Sequence, residues 1–286
     1  MEDDNSKLAG RHSNSKLILG LVGSPRRLGN CEVITKEISQ NIALPHRLRL
    51  IRLPSLNIQP CNACYACIMD QPCPNKDDMD FLLRQIAEAD AMIITSPVYF
   101  LGAHSIFKRI LDRGFLLYTI LERTWGKPCI LINTYGMKGR IGAAPHTLLT
   151  FARVIGLDVK GSLNLMAALP GEILMGEEGK QSAKRAAELL FSATSYKNES
   201  GCPFCGSEIV RMAQDSLICA LCHGHFSIDD KGNKLKIKEG GVFGSLDHML
   251  KHREWLRGMK EKFLRNKKEI VKTIAGYKNL GDWIEP

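Results

Sequence analysis

From residue 16 onwards, short unbroken apolar runs alternate with longer stretches in which apolar positions recur every three or four residues. Lys16-Leu-Ile-Leu-Gly-Leu-Val stops at Gly23-Ser24-Pro25, which predicts a strand buried on both faces. Over 30–42, Val33, Ile34, Ile38 and Ile42 mark one side of a helix. Arg47-Leu-Arg-Leu-Ile-Arg-Leu alternates as a second, partly exposed strand, and the helix begun by Asp77-Asp78 carries Met79, Phe81, Leu82, Ile86 and Ala89. Ala91-Met-Ile-Ile-Thr-Ser is a third strand closed by Pro97, and one helix is expected over 105–121. Pro128-Cys-Ile-Leu-Ile-Asn is the fourth strand. A helix over 147–154, a weaker strand over 157–165 and a helix over 179–193 complete the series.

Strands alternating with helices, the inner strands apolar throughout, predict an α/β fold with a doubly wound parallel sheet between two helical layers. The pattern breaks at about residue 195. Residues 1–15 are polar and aperiodic, predicting a flexible tail, and the expected units are then 16–198, 199–240 and 241–286. In the last unit Met249, Leu256, Phe263 and Ile270 recur every seven residues, the mark of a long amphipathic helix.

The 286 residues are 44% hydrophobic and 24% charged, a globular balance that excludes a disordered or fibrous chain. No apolar run reaches the ~18 residues of a membrane span. The acidic start, Met1-Glu-Asp-Asp, lacks the basic charge of a signal peptide, so a cytoplasmic location is expected. The net charge of +9 is spread along the chain and bears on anionic partners, not on fold. Ten cysteines are too few for a disulfide scaffold, but eight fall into two tight groups, which suits metal ligation.

Gly23-Ser-Pro-Arg-Arg-Leu-Gly-Asn-Cys31 joins the first strand directly to a helix. Free amides at the helix N-terminus, the hydroxyl and amide side chains of Ser24 and Asn30, and the forked donors of Arg26 and Arg27 suit a terminal monophosphate. The segment matches neither the P-loop nor the dinucleotide fingerprint. Ser96-Pro-Val-Tyr-Phe100 and Asn133-Thr-Tyr-Gly-Met137 leave the same rim of the sheet, where ligands of open parallel sheets bind. Their aromatic faces and amides suit a flat polar ring system.

Gly23-Ser24-Pro25-Arg26, Gly29-Asn30, Ser96-Pro97-Val98-Tyr99-Phe100 and Ser105-x-x-Lys108-x-x-x-Asp112-Arg113 together resemble the NAD(P)H-dependent FMN reductase family over 16–195. The resemblance implies a flavodoxin-like fold with five parallel strands and bound FMN. Ser24, Arg26, Asn30 and Cys31, with Arg27 and Gly29 in the same turn, would serve the FMN phosphate. Pro97, Val98, Tyr99 and Phe100, with Thr134, Tyr135 and Gly136, would line the isoalloxazine ring. Position 31 is usually Ser or Thr in the family, so Cys31 is a departure and a weaker donor. A homodimer or homotetramer is implied, and an NAD(P)H donor would stack briefly on the flavin beside Tyr99 and Tyr135.

Cys61-x2-Cys64-x2-Cys67-x5-Cys73 sets four thiols within thirteen residues, enough to wrap one [4Fe–4S] cluster. Zinc and free or redox-paired thiols are the alternatives. The motif is similar to that of the iron–sulfur flavoproteins, a branch of the same family, which implies electron exchange with ferredoxin. Cys202-x2-Cys205-x13-Cys219-x2-Cys222 has the spacing of two ligand knuckles around a tetrahedral ion. It resembles a zinc ribbon, with a rubredoxin-like iron site as the rival; His223 and His225 are read as surface residues. Three functions follow as expectations: electron transfer between a donor, FMN and a cluster; a plain NAD(P)H:flavin or quinone reductase; and, less favoured, a redox sensor that binds nucleic acid through the ribbon and the basic tail.

Overall fold

In the computed structural model, residues 15–286 are described except 195, 197, 242, 279, 283, 285 and 286. The tail expected over 1–15 thus lies almost wholly outside the described residues. Strands β1 (Lys16–Val22), β2 (His46–Arg52), β3 (Ala91–Tyr99), β5 (Pro128–Tyr135) and β6 (Asp158–Met166) form a parallel sheet in the order β2-β1-β3-β5-β6. The two-residue β4 (Gly102–Ala103) folds back antiparallel on the end of β3. Strand order reverses at β1, which opens a crevice between the carboxyl ends of β1 and β3.

Both sheet faces are covered, which explains why β1 and β3 show no polar alternation. Ile18, Ile93, Ile130 and Ile132 pack against Ile34 and Ile38 of α1 (Asn30–Gln40) and Ala183, Ala186 and Leu190 of α6 (Glu177–Leu190). On the other face Leu19, Leu21, Met92, Ile94 and Leu131 meet α2 (Met79–Glu88), α3 (Ile106–Asp112) and α5 (Ala144–Val154). At about 25 cal/mol per Å² of apolar surface, these two seams are the main source of stability. β2, at the sheet's edge, is only partly covered, as its alternation predicts.

The single helix expected over 105–121 is a correction. The chain there forms α3, a 3₁₀ segment (Gly114–Thr119) and the single turn α4 (Leu121–Thr124). Gly114 disfavours helix, and Arg113 turns its side chain inward to a buried ion pair, so the chain bends at that point. The bend lets Phe115 meet Tyr65 at 5.3 Å between ring centroids.

After the sheet, β7 (Val210–Met212), β8 (Leu217–Cys219), β9 (His225–Ile228) and β10 (Lys234–Lys238) form a small antiparallel sheet. Its Cys202, Leu221, Cys222 and Phe226 join the same buried cluster as Leu148 and Leu149 of α5. His146 Nδ1 lies 2.9 Å from Ser207 Oγ and ties the two parts together. The last helix, α7 (Leu246–Ile274), is capped by Ser245, whose hydroxyl accepts from the His248 amide. Of the seven-residue series only Met249 and Leu256 are buried; Phe263 is exposed, because α7 runs beyond the body it packs on. No helix among the described residues is long and apolar enough to cross a membrane.

Candidate functional site

Three turns at the carboxyl rim enclose a crevice of about 190 Å³ lined by Ser24, Arg26, Gly29, Asn30, Cys31, Pro97, Val98, Tyr99, Thr134 and Gly136. Ala167, Ala168 and Pro170, after β6, supply a wall that the sequence did not suggest. Arg27, Phe100 and Tyr135 stand outside this lining. No side chain caps α1, whose N-cap is Gly29, so its first amides face the crevice as an anion site. A Cβ on Gly29 would come 3.0 Å from Arg26 Cβ and crowd the cradle.

Not every expected donor is free. The Asn30 amide donates to the Ala167 carbonyl at 3.0 Å, and its oxygen accepts from Ile173 N at 3.3 Å, so Asn30 braces the wall after β6. Cys31 Sγ lies 3.4 Å from Thr134 Oγ1, and burial pushes its thiol up to about 11, leaving a neutral group beside the anion site. Burial likewise lowers the pKa of His104, whose ring is 5.7 Å from Tyr99.

Two residues that the sequence reading passed over shape the phosphate turn. Arg52, at the end of β2, donates to the carbonyls of Ser24 (3.1 Å) and Arg26 (2.7 Å) and pairs with Glu32 at 2.6 Å. Glu32 in turn accepts from the Leu28 amide at 2.9 Å. Burial alone would raise the pKa of Glu32, but hydrogen bonds from Lys36, Arg52 and Leu28 outweigh it and hold it at about 2. The only signal was the position of Arg52 at the carboxyl end of a strand beside β1.

The first cysteine group forms one recess. Cys61, Cys64, Cys67 and Cys73 line it with Tyr65, Phe115 and Arg113. Arg113 donates to Cys73 Sγ at 3.3 Å and to the Gln59 carbonyl at 3.0 Å, while pairing with Asp77 at 2.6 Å. Asp77 also accepts from the amides of Gln59 and Met79, and these donors hold its pKa low against the burial that would raise it. Around Cys64, the backbone of Ala63 and Tyr65 takes positive φ (49° and 64°), the kind of turn that points amides at an anion.

The second group is tighter. Among the described residues, Cys202, Cys205, Cys219 and Cys222 are the one set of metal-ligating side chains whose ligand atoms all lie within 4.8 Å of one another. Sγ–Sγ separations of 3.7 Å (Cys202–Cys222) and 3.5 Å (Cys205–Cys219) approach the edge of a tetrahedron built on ~2.3 Å metal–sulfur bonds. Gly206 and His223 take positive φ directly after the second cysteine of each knuckle, so the backbone of His223 completes a turn while its side chain stays exposed. The thiols of Cys61, Cys64, Cys67 and Cys73 do not form such a set.

The doubly wound sheet and the phosphate-ready crevice at its switch point define a flavodoxin-like flavoprotein. Residues 17–168, more than half of the chain, match the family model of the NADPH-dependent FMN reductases, and the chain belongs to that family. An iron–sulfur flavoprotein of Methanocaldococcus jannaschii is 36% identical over 98 residues, covering 34% of this chain and 51% of that protein. This chain therefore spans about half the length of that relative. One from Archaeoglobus fulgidus is 28% identical over 175 residues, covering 60% of this chain and 76% of its own. The solved structure of a flavone reductase shares the fold over 94% of this chain and 99% of its own, with TM-score 0.69 at 18% identity.

Proposed function

We propose that the protein is an FMN-dependent oxidoreductase that passes electrons between a reduced donor, FMN in the rim crevice and a [4Fe–4S] cluster in the Cys61–Cys73 loop, with zinc in the ribbon as a structural ion. Bound FMN exchanges electron pairs with a nicotinamide and single electrons with a cluster; the protein's part is to hold and tune these groups. Arg26, Ser24 and the uncapped amides of α1 bind the phosphate, with Arg27 within reach from the same turn. Pro97, Val98 and Tyr99 with Thr134 and Gly136 would hold the ring, while Phe100 and Tyr135, on the same two turns but outside the lining, would meet a donor's nicotinamide or an acceptor.

One observation carries the cluster assignment. The Cys61–Cys73 recess has four thiols spaced wider than the ribbon's and a buried guanidinium donating to one of them, a device for holding negative charge on sulfur. Relatives that are named iron–sulfur flavoproteins support the same reading. Exposed Leu28, Met137, Met166 and Leu169 are chain neighbours of crevice residues, and such an apolar collar fits a homo-oligomer that closes the site with a second copy. A cytoplasmic setting would keep all ten thiols reduced.

The test is an anaerobic reductive titration. About three electrons per chain, two for FMN and one for the cluster, are expected; two electrons with a flavin-only spectrum would reduce the protein to a plain flavin reductase. Following the same sample with NADH, NADPH and reduced ferredoxin in turn identifies the donor.

A further inference from the structure

The short 3₁₀ turn that carries Cys67 (Ala66–Met69) is bounded on each side by a residue in the left-handed region: Tyr65 at φ 64° and Asp70 at φ 56°. Neither is glycine, and such strained backbone persists only where surrounding contacts over-determine it. Those contacts come from the far end of the chain. Arg257 Nε donates to the Ile68 carbonyl at 2.8 Å, and its Nη2 pairs with Asp70 at 2.6 Å. Lys260 Nζ donates to the Cys64 carbonyl at 3.3 Å and sits 5.6 Å from the centroid of the Tyr65 ring.

Beneath these polar contacts, Met249 and Leu256 of α7 pack on Ile68, Tyr118 and Leu121, and His252 Nδ1 lies 2.6 Å from Tyr118 Oη. Met249 and Leu256 are the buried residues of the whole helix, so α7 meets the body at the Cys67 turn and the neighbouring Tyr118–Leu121 stretch. The Asp70 carboxylate of the Arg257–Asp70 pair is largely exposed, so the pair adds little by itself. The grip on the carbonyls of Ile68 and Cys64 matters more, because it fixes the backbone from which Cys64 and Cys67 project.

We infer that Arg257 and Lys260 are positioning residues for the metal centre of the Cys61–Cys73 loop, α7 serving as the strap that holds the Cys67 turn in its strained, ligating form. The inference rests on the reading that this loop carries the cluster. Lys260 has a second effect. Its ammonium is a cation beside the backbone of Cys64, and a reduced cluster carries one more negative charge than an oxidised one, so Lys260 favours reduction.

The experiment uses the full chain purified anaerobically, as R257A, R257K, K260M and K260R beside the wild type. Iron release to a chelator is expected to quicken about tenfold in R257A and to return towards wild type in R257K, the usual scale for residues that orient ligands. K260M is expected to lower the cluster's reduction potential and K260R to restore it, with FMN absorbance and zinc content unchanged in all four. Wild-type release rates in R257A together with an unshifted potential in K260M would overturn the inference. Sulfide absent from the wild type would refute the cluster reading and not the strap. Hydrogen exchange over residues 61–70 then decides: faster exchange in R257A supports the strap and equal rates overturn it.

Discussion

Arg113 and Asp77 form an ion pair of 2.6 Å in which both side chains are almost completely buried, 2% and 1% exposed, and the same guanidinium donates to Cys73 Sγ. The pair joins the end of α3 to both ends of the cysteine loop, through the Gln59 carbonyl on one side and Asp77 on the other. A buried charge without its partner is expensive. Arg113→Met or Asp77→Asn is therefore expected to lose about 3–5 kcal/mol of stability. Urea unfolding measures this, and the double variant should recover part of the loss because no charge is then stranded.

Glu32 predicts a pH dependence. Its folded pKa of about 2 lies below the ordinary 4.5, so its contribution is fully present above pH 4.5 and is lost as pH falls from there through about 2. Glu32→Gln should flatten the stability profile in that acid window and leave the profile between pH 6 and 8 unchanged in shape. Urea midpoints across a pH series give the comparison.

Phosphate recognition separates FMN from riboflavin. Removing one charge-assisted donor costs about 1.5–3 kcal/mol. Arg26→Ala should therefore weaken FMN binding by about 10-fold or more while riboflavin affinity barely changes. Fluorescence titration of the apoprotein with both flavins is the measurement.

Gly142 has φ +56°, and a Cβ there would meet the Leu101 carbonyl oxygen at 2.2 Å. It is the support on which the Phe100–Leu101 turn rests, since the Leu101 carbonyl also accepts from Ala143 N. Gly142→Ala should displace that turn, lower flavin affinity and leave the ribbon's metal content intact. Flavin fluorescence and zinc analysis of one preparation check both halves.

Much of this architecture was legible in the sequence because strands buried on both faces leave unbroken apolar runs. The runs at Leu17, Met92 and Cys129 locate three inner strands within a few residues, and the C-x2-C spacing places the ribbon's knuckles. The break after α3 was hidden because an apolar period over 105–121 continues across Gly114, and the burial of Arg113 depends on Asp77, 36 positions away. Arg52 escaped notice for the same reason: its partners in the phosphate turn are 20 to 28 residues distant. Nothing in the amphipathic pattern of α7 points to the cysteine loop, yet Arg257 and Lys260 reach it across 187 to 196 residues. Local pattern reports the elements; long-range polar pairs form only once the fold brings them together.

Elemental and acid-labile sulfide analysis of anaerobically purified protein decides whether the two cysteine groups hold different metals. About four irons, four sulfides and one zinc per chain are expected, with Cys67→Ser lowering iron and sulfide but not zinc, and Cys219→Ser lowering zinc. Two zinc ions and no sulfide would contradict that expectation.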